Sequence, residues 1–211
     1  MLVRKLSLRR GWACLAPLAF GLVACAAEHG ATPPSTTRPA QRPPNASVGN
    51  PPPYMRSVGC VDMGALTSQN TPTQILLGAR KCVDDKEYDR GASLFTAAGA
   101  YGKFDSLRVP DVSAHTIIPD FESALFGQLD NESKANFKSA VEKLYKSDAD
   151  RLNVCAQLRT LGPPTYYPTY MLLHGMSQFT GRGGGLRDDF NRDTAWETAL
   201  STYVKCPSPS H

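Results

Sequence analysis

Downstream of residue 70, apolar residues recur at three- and four-residue spacing, and no stretch alternates convincingly as a strand would. That periodicity limits the chain to packed helices. The first helix is announced by Thr71-Pro72-Thr73-Gln74: an N-cap threonine, a proline at the first helical position and a capping-box glutamine. Ile75, Leu76, Ala79, Cys82 and Val83 follow on one face. After a turn at Asp84-Asp85, a second helix carries Tyr88, Gly91, Ala92, Leu94, Phe95 and Ala98 as its inner face. Asp130 caps a third, with Phe137, Val141, Leu144 and Tyr145 on one side. Ser147, with Asp150 three residues later, starts a fourth, whose Val154, Cys155, Leu158 and Leu161 face inward. Leu161-Gly162-Pro163 stops it. A short helix after Pro168 and a final one through Trp196, Leu200 and Tyr203 follow. Pro119 predicts a break between shorter helices across residues 115–129. The expected fold is all-α, with about five to seven helices.

The amino terminus reads as a targeting segment, not as part of the fold. Arg4, Lys5, Arg9 and Arg10 form a basic region, and residues 11–24 an apolar stretch too short to span a bilayer. It ends in Leu22-Val23-Ala24-Cys25. Small residues before a cysteine at such a boundary resemble the lipobox of bacterial lipoproteins. The resemblance implies a signal over residues 1–24, cleavage before Cys25, and acylation of that cysteine and of the new amino terminus. Two or three acyl chains hold a protein on a membrane essentially permanently. Ala26 and Ala27 follow, where an inner-membrane-retained enterobacterial lipoprotein has aspartate. The resemblance therefore implies the outer membrane, facing the periplasm.

Residues 25–56 are rich in Pro, Ser, Thr, Asn and Ala, including Pro33-Pro34, Pro43-Pro44 and Pro51-Pro52-Pro53. Such a composition buries too little apolar surface to offset chain entropy, and proline biases it toward an extended tether. The helical domain is expected over residues 57–211. Of the 23 basic residues, four precede Cys25 and no acid does, which leaves 19 of each sign in the processed chain. A nucleic-acid binder needs a positive footprint, and that class is excluded.

Six cysteines are present; Cys14 leaves with the signal and Cys25 takes the lipid. Cys60, Cys82, Cys155 and Cys206 remain, an even number for an oxidising compartment. Three pairings are open. Cys60–Cys82 with Cys155–Cys206 is favoured, since each bridge would tie one end of the domain to a nearby helix. Chain-entropy arithmetic gives roughly 3–4 kcal/mol for each. No CxxC or HxxxH spacing supports zinc, so no metal or cofactor is expected.

Tyr88, Gly91, Phe95 and Ala98, with Ala79 before them, have the spacing of the signature positions in a tetratricopeptide repeat. The resemblance covers about residues 71–102. Cys82 replaces the repeat's tyrosine, Lys103 stands where proline ends it, and no second copy follows. Tetratricopeptide and Sel1-like repeats mostly bind proteins, which is what the resemblance implies here.

No catalytic set is evident, and the chain is read as a binding protein, not an enzyme. His174-Gly175-Met176-Ser177 is a near miss to a nucleophile elbow, lacking the closing glycine and the strand. Asp188-Asp189 fit a helix cap or solvent better than an acid–base pair. The glycines of residues 181–185 lack the Lys-Ser/Thr of a phosphate loop and read as a mobile connection. The best candidate surface is the proline-framed turn of residues 163–170. Its Tyr166, Tyr167 and Tyr170 offer rigid amphipathic contact area, with Arg182 nearby in sequence. A lipid-tethered, disulfide-tied helical domain of this layout resembles the immunity lipoproteins that protect bacteria from envelope-attacking toxins. Its expected partner is therefore a protein, reached from the membrane. An accessory lipoprotein of an envelope assembly or secretion machine is the first alternative, and a cell-envelope hydrolase the second.

Overall fold

Local capping chemistry sets the helix starts that the sequence announces. The computed structural model describes residues 52–181 and 184–208. In helix α1 (Pro72–Asp84), the Thr71 hydroxyl accepts the Gln74 N–H while the Gln74 side chain accepts the Thr71 N–H. Asp130 caps α4 (Asn131–Lys146) by accepting the Ser133 N–H at 2.9 Å. Ser147 both ends α4 and caps α5 (Asp148–Leu161) through the Asp150 N–H at 3.2 Å. Gly162 stops α5 at φ +75°, a conformation that a side chain would strain.

Helix α2 (Tyr88–Arg108) is the longest and packs against α1, α4 and α8 (Arg192–Ala199). It continues past Lys103, with Tyr101, Phe104 and Asp105 fully buried along it. Contact on several sides explains why its apolar positions run round the helix instead of forming one stripe. Small residues let the neighbours close in. A Cβ added to Gly99 would lie 1.9 Å from the Tyr203 hydroxyl, so the Tyr203 ring rests directly on the α2 backbone at this glycine.

The other α-helices are α3 (Ile117–Phe126) and the single turns α6 (Thr169–Leu172) and α7 (Ser177–Thr180); a π-helical turn, Leu200–Val204, follows α8, and a 3₁₀ turn, Met63–Ala65, precedes α1. The described residues contain eight α-helices and no strand, so the fold is all-α. The helix beyond the expected number is α7. Pro119 does not break a helix. It occupies the third position of α3, where a missing N–H costs nothing because that donor has no intrahelical acceptor. The discontinuity falls just before, where the 3₁₀ turn Val112–Thr116 meets α3.

The core contains the predicted inward faces, including Ile75, Leu76, Ala79, Cys82, Leu94, Leu158 and Leu200, each 0 % exposed. Trp196 meets Tyr101 edge-on at 5.4 Å and Phe104 at 6.0 Å, while Phe126 stacks on Phe137 at 4.8 Å. Cys60 is bonded to Cys82 and Cys155 to Cys206, with Cα separations of 4.7 and 5.7 Å. The first bridge ties the entry segment to α1, and the second ties the carboxy-terminal segment to α5.

The end of the expected tether docks on the fold. Pro53–Met55 form a 3₁₀ turn. Its Pro53 carbonyl accepts from the Gln74 amide at 2.7 Å, and its Tyr54 carbonyl from the Thr73 hydroxyl. Cys25, Arg182 and the rest of the tether before residue 52 lie outside the described residues. No helix among the described residues is long and apolar enough to cross a membrane.

Candidate interaction surface

The proline-framed tyrosines do not form one exposed surface. Burial alternates along this irregular segment and into α6. Pro164, Tyr166, Pro168 and Tyr170 point inward, while Thr165, Tyr167 and Thr169 point outward. This corrects the expectation for Tyr166 and Tyr170; Tyr167, at 59 % exposure, is the one tyrosine of the three on the surface.

The inward pair serves a buried polar cluster. Tyr166 and Tyr170 donate their hydroxyl hydrogens to Asp105 Oδ2 at 2.8 and 2.6 Å. Arg108 Nε donates to Asp105 Oδ1 at 2.8 Å, and its Nη2 lies 2.7 Å from the same oxygen. The guanidinium sits 5.2 Å from the Phe104 and Tyr166 ring centroids, a cation–π arrangement on two sides. Burial pushes the Asp105 carboxyl up to about 6, against the opposing pull of Arg108 and the two hydroxyls. Burial first, and the neighbouring carboxylate second, raise both tyrosine hydroxyls well above their ordinary value, so they remain donors. The cluster pins the proline-framed segment to α2. Its role is architectural.

Exposed apolar surface lies a few residues further on. Leu173, Met176 and Phe179 are 47 %, 58 % and 78 % exposed, and Val112 is 71 % exposed. Leu173 and Met176 lie in the turns that join α6 to α7, and Phe179 lies within α7. Val112 adjoins them through a hydrogen-bonded seam. The Asp111 carboxylate accepts the Ser177 N–H at 2.8 Å and the Ser113 N–H at 3.0 Å, and Ser113 Oγ accepts the Met176 N–H at 2.8 Å. The hydroxyl of Ser113 and the donors of Ser177 hold the Asp111 carboxyl far below the usual carboxylate range. His174 Nε2 adds a contact of 3.1 Å to Thr116 and lies 3.6 Å from Asp120. The backbone is thus anchored while its large apolar side chains face solvent. Exposed patches of this kind mark interaction sites more often than isolated apolar residues do.

The seam also disposes of the elbow motif. Ser177 opens α7 with its donors on Asp111, while His174 turns to Thr116 and Asp120, so the two are not brought together. Asp188 and Asp189 are exposed in a turn, and Asn191 caps α8 by accepting the Thr194 N–H at 2.9 Å. Among the described residues no group of three or more His, Cys, Asp or Glu could hold a metal ion. Sequence reading missed Leu173, Met176 and Phe179 because three apolar residues at helix spacing look like a core face. The glycines on both sides, Gly175 and Gly181, were the available signal that no long helix would bury them. Comparison with protein-family models, curated proteins and solved structures returns no match.

Proposed function

We propose that this protein is a lipid-anchored envelope lipoprotein that binds another protein through Val112, Leu173, Met176 and Phe179. We further propose that it acts as an immunity protein, neutralising a toxin delivered by competing bacteria. The observation that carries the binding role is the exposed apolar set on a backbone fixed by the Asp111 seam. A rigid apolar surface loses little entropy on docking, and burying a side chain as large as Phe or Met contributes about 1.5–3 kcal/mol. Cys25 and the lipobox before it support the anchor and an address on the periplasmic face of the outer membrane. The layout supports the immunity role by its likeness to lipoproteins that block envelope toxins without catalysis.

Deletion is expected to leave cells healthy alone but sensitive to sister cells carrying the toxin. Re-expression of the wild type should restore survival, whereas the double variant Met176→Asp, Phe179→Asp should not, despite equal accumulation. Loss of two such contacts removes about 3 kcal/mol or more, beyond a hundredfold in affinity. Protection by the double variant would refute the surface. Normal survival of the deletion strain would refute immunity and favour the accessory role. Cys25→Ser should release a folded protein from membranes; retention through carbonate washing would refute the lipid anchor.

A further inference from the structure

A second feature lies away from the apolar surface. Between α2, α3 and the π-helical turn is a cleft of about 320 Å³ lined by Lys103, His115, Ile118, Pro119, Glu122 and Tyr203, over the backbone of Gly99 and Gly102. That volume is at the small end of ligand pockets, enough for one small molecule. Its walls are mixed. Ile118 and Pro119 are apolar, and the half-buried Tyr203 ring adds an aromatic edge.

The polar groups are unevenly committed. His115 Nε2 meets the Val109 carbonyl at 2.9 Å, which leaves Nδ1 as an acceptor in the neutral ring. Glu122 and Lys103 line the same cleft, yet neither side chain makes an ion pair or hydrogen bond with a described residue. Burial alone pushes the Glu122 carboxyl up to about 7. The other titratable groups facing it, Tyr145 from α4 and Tyr203, are hydroxyls held protonated by burial. They supply no positive charge. A half-buried carboxyl and a lysine that line one cavity without pairing are complementary to a molecule carrying both opposite charges.

We propose that this cleft binds a small zwitterion of the amino-acid type. Its ammonium lies on Glu122, its carboxylate on Lys103, and its apolar side chain against Ile118 and Pro119. A ligand with only one charge would leave either Glu122 or Lys103 unsatisfied, which is the basis of selectivity.

The test is a heteronuclear NMR titration of the purified full chain with L-leucine, isoamylamine and 4-methylvalerate. The last two are leucine without its carboxylate and without its amine. Leucine should give saturable shifts at Gly99, Gly102, Glu122 and Tyr203. Each control should bind about tenfold more weakly or worse. Glu122→Gln and Lys103→Met should each lower leucine affinity by about tenfold or more while near-ultraviolet circular dichroism stays unchanged. The Glu122 carboxyl should also titrate at lower pH when leucine is bound, because the ammonium stabilises its charged form. Several outcomes would overturn the proposal. They are no saturable shift at millimolar leucine, equal binding of isoamylamine, and unchanged affinity in either variant, as expected if Glu122 and Lys103 simply pair across an empty cleft.

Discussion

Asp105→Ala will cost about 3–5 kcal/mol of folding stability, the largest loss expected from a polar substitution in this chain. The substitution strands the Arg108 guanidinium, whose side chain is 8 % exposed, without a counter-ion. It also removes the acceptor for the Tyr166 and Tyr170 hydroxyls. Each group would then be desolvated without a partner. Tyr167→Ala is the internal contrast: an exposed ring from the same segment, expected within about 0.5 kcal/mol of wild type. Urea unfolding monitored by circular dichroism measures both, and a loss below about 1 kcal/mol for Asp105→Ala would refute the staple. The pH dependence has a definite sign. The Asp105 carboxyl lies at about 6 in the fold, above the ordinary 3.8. The folded state therefore holds this proton more tightly than the unfolded chain does. The resulting stability is fully present below pH 3.8 and is lost as pH rises through 6. Asp105→Asn should abolish that dependence while keeping the shape of the site.

Removing both disulfides is the second large effect. Cys60–Cys82 closes a separation of 22 residues and Cys155–Cys206 one of 51. Loop-closure entropy assigns roughly 3–4 kcal/mol to each, about as much together as the whole stability of a typical small domain. A variant with all four cysteines replaced by alanine should therefore lose its cooperative unfolding transition at physiological temperature. Either pair removed alone should leave a folded but weaker protein. Oxidised protein should present none of these four thiols to alkylation. Two or more labelled cysteines in that material would refute the bridges. Peptide mapping of the double-alanine variants would confirm which cysteine pairs with which.

The helix starts at Thr71, Asp130 and Ser147 were legible because a cap is a local contract between residues three apart, written wholly in the sequence. The inward faces of α1 and α5 were legible for a similar reason, since periodicity records which side of a helix is dry. Pro119 misled because proline's effect depends on its position within a helix, and the start of α3 is marked by no strong cap. The tyrosine segment misled more instructively. Whether Tyr166 points in or out depends on a carboxylate 61 residues earlier, waiting on α2. No local pattern carries that information.

By itself, then, the sequence determined the all-α class, the caps and the buried stripes, because each arises from neighbours within one or two helical turns. Tertiary structure alone decided which tyrosine meets solvent, where the exposed apolar residues sit, and that Lys103 and Glu122 share a cleft. Those outcomes depend on α2 being approached from several sides at once. The glycine at position 99 is visible in the sequence, but only the packed fold reveals the Tyr203 ring that rests on it.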